Sequence, residues 1–235
     1  MTRRSPVWRR WLLALVALLC LSTAAARPGV AAETATLEAA YVVLGRDGAV
    51  GRAILSGTRE CPAIIFDGAA QPMQLRAEPE GGAHPAFPVL VCEALIPPGT
   101  TDAAISERKL PLPKSTIATI AVFGDTGCRL KDAEAQPLAR RNSDHLHEGY
   151  FQNCDDPAQW PFPQISRIAA GQKPDLVIHV GDYLYRESPC PTGDAGCAGS
   201  PHGDDWPAWK ADFFAPAAPL LATAPFIVVR GNHET

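Results

Sequence analysis

Three apolar, β-branched runs in the second half of the chain each break off at a glycine beside a polar residue. They are "TIATIAVFGDTG" (116–127), "DLVIHVGDYLY" (175–185) and "PFIVVRGNHE" (225–234). A strand that is apolar on both faces must be covered on both faces, and such strands belong to parallel sheets layered with helices. Candidate helices lie between the runs, near "FPQISRIAAGQ" and "DDWPAWKADFFAPAAPLLATA". The pattern predicts an α/β domain over residues 115–235. In open α/β sheets, ligands gather beyond the carboxyl ends of the strands. All three runs put polar residues there: Asp125, then Asp182 with Tyr185, then Asn232 with His233.

Residues 36–112 read differently. "YVVLGRDGAVGRAIL" is two apolar runs around Asp47-Gly48, a hairpin signal. "AIIFDG", "MQLRAE" and "FPVLVCEALI" continue the pattern between Gly/Pro clusters. The expectation is a small, β-sandwich-like all-β domain. "LPLPK" at 110–114 reads as a linker, since Pro blocks both helix and sheet interior.

Residues 1–32 read as a secretory signal peptide. Arg3, Arg4, Arg9 and Arg10 precede the apolar "WLLALVALLCL", and small residues suited to cleavage after Ala26 or Ala32 follow. The alternative is an uncleaved anchor, but the apolar run is short for a bilayer span. Arg9-Arg10 also hints at twin-arginine export. The protein is expected to be secreted or periplasmic, with no membrane association after cleavage.

Five arginines and no acid lie in residues 1–27. The remainder therefore carries 16 Lys and Arg against 25 Asp and Glu, a net charge of −9. That balance argues against a nucleic-acid or anionic-membrane partner. Outside Cys20, six cysteines remain: Cys61, Cys92, Cys128, Cys154, Cys190 and Cys197. An even number in an exported chain favours disulfides. Fifteen connectivities are possible; the preferred one is sequential, 61–92, 128–154 and 190–197, which keeps each pair within one region. A zinc site is the rival reading, but no Cys-x2-Cys pair occurs.

Carboxylates on neighbouring strand ends repel unless a cation lies between them, so Asp125 and Asp182 point to metal. Asn232 adds a neutral oxygen and Tyr185 a phenol. A hard, oxygen-rich set suits iron, manganese or zinc more than copper.

Asp125-Thr126-Gly127, Gly181-Asp182-Tyr183-Leu184-Tyr185 and Gly231-Asn232-His233-Glu234 resemble, in order, the first three of five motifs of purple acid phosphatases. Those motifs are D-x-G, G-D-x-x-Y and G-N-H-[DE], within the calcineurin-like metallophosphoesterases. The resemblance covers about residues 117–234. It implies the N-terminal part of a metallophosphoesterase α/β sandwich, preceded here by the small all-β domain. It also implies an exported hydrolase of phosphomonoesters or phosphodiesters, with a small phosphoester as substrate and a metal-bound hydroxide as nucleophile at a dinuclear site. By the resemblance, Asp125 and Tyr185 bind a first ion, Fe3+; Asp182 bridges; Asn232 binds a second ion, Fe2+, Zn2+ or Mn2+. His233 sits beside the phosphate, and Glu234 orients it.

Two later family motifs, V-x-x-H and G-H-x-H, do not occur in the 235 residues. The reading is therefore of an N-terminal portion of a longer enzyme. The alternative is a non-catalytic remnant, at most a weak metal-binding or interaction module. Substrate, metal identity and oligomeric state are not legible.

The remaining histidines and aromatics have plainer readings. Asp144-His145-Leu146-His147 reads as solvated loop, His84 and His202 as loop, and His179 as a buried, hydrogen-bonded core residue. Trp206, Trp209, Phe213 and Phe214 read as core contacts, and Asp175 as the start of a strand.

Overall fold

The computed structural model describes residues 35–133 and 149–234. The expected signal peptide and the pair His145 and His147 lie outside the described residues.

Among the described residues, thirteen strands alternate with few helices. In chain order they are β1 (Thr36–Gly45), β2 (Gly48–Ser56), β3 (Ala63–Phe66), β4 (Ala69–Pro72), β5 (Gln74–Ala77), β6 (Leu90–Leu95), β7 (Ala103–Ile105) and β8 (Arg108–Lys109). Then come β9 (Ile120–Phe123), β10 (Leu130–Lys131), β11 (Tyr150–Phe151), helix α1 (Phe162–Gly171) and β12 (Leu176–His179). The chain closes with α2 (Trp206–Trp209), a π-helical turn (Lys210–Phe214), α3 (Ala218–Leu221) and β13 (Phe226–Val228). This is a sheet-dominated α/β fold.

The main sheet has seven strands in the order β5-β6-β2-β1-β13-β12-β9. Its first four strands are antiparallel, whereas β13, β12 and β9 are parallel to one another. The two halves meet where Val43 of β1 pairs with Phe226 of β13. A four-stranded antiparallel sheet, β4-β3-β7-β8, packs with the first half.

Sequence reading placed a domain boundary at 112–115. The structure joins the strands on either side of it in one sheet, and the described residues form one compact unit. The physical reason lies in β1 and β2. Their side chains alternate between two cores, so both faces are apolar. Val42, Ala53 and Leu55 face Ile64, Phe66, Leu90 and Ile105. Ala39, Tyr41, Val43 and Ile54 belong instead to the core that holds Phe213, Leu220 and Phe226. A strand pair with two apolar faces does not end a domain; it lies between two layers.

On the parallel half, α1, the π turn and α3 cover one face. Phe123 meets Phe162 with ring centroids 6.0 Å apart, and His179 and Phe226 meet Phe213 at 5.5 and 6.3 Å. The apolar runs predict cover on both faces, yet the described residues supply one. Register sets Val122, Ile178 and Ile227 side by side on the other face, and Ile120, Val122 and Val180 there are 52–62% exposed. Among the described residues, no helix is long and apolar enough to cross a membrane.

Three disulfides close with the sequential pairing, Cys61–Cys92, Cys128–Cys154 and Cys190–Cys197. Asp205 caps α2 by accepting a hydrogen bond from the Ala208 amide (2.9 Å), with Pro207 at the first turn where its missing N–H costs nothing.

Asp175 does more than open β12. Its carboxylate pairs with Lys114 and accepts hydrogen bonds from the amides of Ala118 and Thr119 at 2.8 and 2.9 Å, clamping the segment that leads into β9. These contacts, Lys114 first, hold its pKa well below the ordinary carboxylate value. The folded carboxylate thus binds its proton more weakly than the unfolded one. Its stabilising contribution is complete above about pH 4 and is lost as pH falls below that. Asp175→Asn is expected to lower the urea midpoint near neutral pH, with the gap to the parent narrowing toward about pH 2. A gap that is constant across that range would exclude this role.

Candidate metal centre

Each polar cluster sits just beyond a strand end. Parallel pairing continues past β9 and β12: the Asp125 amide donates to the Gly181 carbonyl (3.2 Å) and the Thr126 amide to the Asp182 carbonyl (3.0 Å). Adjacent strands in register therefore deliver Asp125 and Asp182 to one edge. Both adopt left-handed backbone, with φ of 54° and 59°. Only five non-glycine residues among those described do so. That two of them are the two acids marks this edge as the strained place in the fold, as functional sites commonly are.

Tyr185 closes the group. Its hydroxyl donates to Asp125 Oδ1 at 2.7 Å and lies 3.3 Å from Asp182 Oδ2. One phenol proton thus serves two carboxylates. Burial, then the hydrogen bond to Asp125 and the charges of both acids, push the phenol's pKa up. A Cβ on Gly127 would lie 2.6 Å from the Tyr185 nitrogen, so the first two motifs touch through backbone as well as side chain.

The third motif folds around Asp182. The His233 amide donates to Asp182 Oδ1 (3.0 Å). A Cβ on Gly231 would lie 2.0 Å from that same oxygen and 2.4 Å from the Asp182 nitrogen, so only glycine permits the approach. Asn232, between these two residues, is exposed at the rim. The structure therefore brings Asp125, Asp182 and Tyr185 into direct contact, and it sets the Asn232 turn against Asp182.

Glu234 and His233 differ from expectation in their partners. Glu234 does not orient His233. Its carboxylate accepts the amides of Tyr183 (2.6 Å), Gly231 (2.7 Å) and Asp182 (3.0 Å), stitching the third turn to the second. Three N–H groups converge on this spot because two tight turns abut there, and a carboxylate satisfies them. The group beside His233 is Glu187, 2.8 Å from Nδ1. The His233 ring rests 4.3 Å from that of Tyr185.

His179 is a core residue, as expected. Burial pushes its pKa down to about 4, against the pull of Asp125 and Asp182. Neutral, it accepts from the Gly181 amide at Nδ1 (3.2 Å), so Nε2–H donates to the Thr126 hydroxyl (2.9 Å). It stacks on Tyr183 at 3.8 Å. Tyr183 donates to the Val229 carbonyl (3.1 Å), and burial pushes its phenol up to about 12. These residues support the three turns from beneath.

Sequence reasoning missed Glu187, Arg186 and Asp212. The signal for Asp212 was available: a lone acid in "WKADFFAP" that turns out fully buried. A cavity of about 400 Å3, walled by Tyr41, Arg52, Trp206, Trp209 and Arg230, reaches Glu234 but none of Asp125, Asp182 and Tyr185. The acids lie on an open rim. The grouping of Cys190, Asp194 and Cys197 is no rival, since its two sulfurs are bonded to each other.

The donor set fits hard cations. Two carboxylates and a phenol share one edge with a single proton among their facing oxygens, and an amide stands beside them. Asp125, Tyr185 and Asp182 could hold one ion, and Asp182 with Asn232 a second.

The family model of the calcineurin-like phosphoesterases matches residues 118–235. No curated protein matches the chain. Among solved structures, one titled "Structure of PhoD" is similar over 84% of this chain and 39% of its own, at 13% identity and a TM-score of 0.38. The chain thus spans 39% of that protein's length.

Gly231→Ala forces the Asp182 carboxylate from its place. It is expected to cost about 2 kcal/mol or more of stability, the range for overpacking a tight contact, measured by urea unfolding. An unchanged midpoint would show that the turn can move aside.

Proposed function

The chain belongs to the calcineurin-like phosphoesterases, and on that footing we propose that it is the ligand-bearing N-terminal portion of an exported, metal-dependent phosphoesterase acting on small phosphomonoesters or phosphodiesters. The observation that carries this reading is the Tyr185 hydroxyl held between Asp125 and Asp182. Three disulfides support an oxidising compartment, in keeping with secretion or a periplasmic address.

Two ions, Fe3+ with Fe2+, Zn2+ or Mn2+, are the proposed cofactors. When bound, such a pair supplies Lewis-acid activation of the phosphate and a water of lowered pKa. The chain's own part is to place and tune ligands. Asp125 and Tyr185 would hold the first ion, Asp182 would serve both, and Asn232 would hold the second. As a ligand Tyr185 would bind as the phenolate, the proton it now donates to Asp125 passing to solvent. Glu234 keeps the bridging acid in place by tying the Asp182 and Gly231 amides together. His233, its Nδ1 against Glu187, has its ring fixed so that Nε2 is the nitrogen left to meet the substrate's leaving oxygen. Hydrolysis needs no protein nucleophile in this scheme.

The second ion has two ligands in this chain, fewer than a stable site uses. We propose that histidines from outside this sequence complete it. That deficit also favours a second reading, in which the 235 residues alone bind one ion and do not turn over substrate.

The test is metal content and p-nitrophenyl phosphate hydrolysis, for the chain as it stands and for a form extended by natural downstream sequence containing further histidine motifs. Turnover is expected from the extended form. Asp182→Ala is expected to abolish it, and Tyr185→Phe to lower affinity for the first ion about tenfold or more. An extended form without metal-dependent hydrolysis, indistinguishable from its Asp182→Ala variant, would end the proposal. Turnover absent only from the 235 residues would favour the second reading.

A further inference from the structure

We propose that the buried Asp212 carboxylate is a positioning residue for the metal centre, one side chain that fixes the Asp125 loop and the Tyr185 loop at their working separation. The inference rests on the reading above only in naming an ion as what the two loops hold.

Asp212 lies in the π turn with no exposed surface. Its Oδ1 accepts the amide of Cys128 (3.1 Å), three residues after Asp125. Its Oδ2 accepts the amide of Tyr185 itself (2.9 Å). One carboxylate therefore bridges the first and second motif loops through their backbones. Gly127 shows how closely they meet: a Cβ there would lie 2.6 Å from the Tyr185 nitrogen and 2.8 Å from Asp212 Oδ2.

Arg186 completes the arrangement. Its Nε donates to Asp212 Oδ1, and the pair is almost wholly buried. The guanidinium carbon lies 5.4 Å from the Trp160 ring centroid, and the Trp160 indole donates to the Thr126 carbonyl (2.8 Å). The contacts thus run from Thr126 through Trp160, Arg186 and Asp212 back to Cys128, gripping the first loop on both sides of Gly127. The hydrogen bonds of Asp212 to the two loops go to backbone amides, not to the Asp125 carboxylate or the Tyr185 hydroxyl. It acts through backbone, not on an ion or a substrate.

Stability alone does not call for a charge here. Replacing a buried ion pair by apolar residues of similar size is often neutral or stabilising. What leucine and methionine cannot do is accept two amides from two different loops at once. An isosteric swap should therefore preserve the fold and loosen the site.

The experiment uses the chain with Asp212→Leu and Arg186→Met together, and separately with Asp212→Asn. Asn keeps the shape but turns an N–H toward donors, so it covers the case in which the double variant does not fold. Thermal unfolding, amide hydrogen exchange by NMR and calorimetric titration with Mn2+ alone are compared with the parent. Expected are exchange at the Cys128 and Tyr185 amides at least about tenfold faster against an otherwise unchanged core, and Mn2+ affinity lower by about tenfold or more, the usual effect of losing a ligand's outer support. Exchange that rises evenly through the core, or a Mn2+ affinity within about twofold of the parent, overturns the proposal. If the parent takes up no Mn2+ while those two amides alone exchange faster, the bridge between the loops stands, and what falls is the reading that these 235 residues hold an ion by themselves.

Discussion

Parallel pairing of β9, β12 and β13 in register is the constraint on which the remaining features depend. Parallel strands have their carboxyl ends at one edge, so whatever follows each strand is delivered to the same rim. Leu176 beside Ile120 and Val177 beside both Ala121 and Phe226 fix that alignment. A slip of one residue would turn Phe123, His179 and Phe226 away from the helices. The apolar side chains that hold the register and the acids that use it are thus the same three segments read from opposite ends.

At the rim the chain accepts costs that the core does not. Two carboxylates face each other in left-handed backbone, and one phenol proton lies between them. Such an arrangement is stable only because surrounding groups over-determine it. Glu234 gathers three amides, the Gly231 turn presses against Asp182, and Asp212 with Arg186 lies beneath. The preorganisation is in the supporting contacts, which hold Asp125, Asp182 and Tyr185 together at one edge.

The N-terminal strands change what this site is built on. Because β1 lies beside β13, Tyr41 and Val43 share a core with Phe213 and Phe226. The antiparallel half therefore buttresses the strand that carries Asn232 and His233. On the opposite face, Ile120, Val122 and Val180 remain exposed among the described residues, which is the unfinished side of the parallel half.

Sequence alone determined the apolar strand runs, the hairpin at Asp47-Gly48 and the three turns that carry Asp125, Asp182 and Asn232. Each is written in local terms, as β-branched runs and a Gly beside a polar residue, whereas the disulfide pairing is one of fifteen until the fold brings each pair of cysteines together. Tertiary structure alone decided that β1 joins the parallel strands, that Glu187 and not Glu234 stands against His233, and that Asp212 bridges two loops. Those outcomes depend on which distant backbone amides are left needing an acceptor once the layers pack. Glu187 and Asp212 are single acids without a motif, and an isolated acid in a sequence looks the same whether water or two buried amides await it.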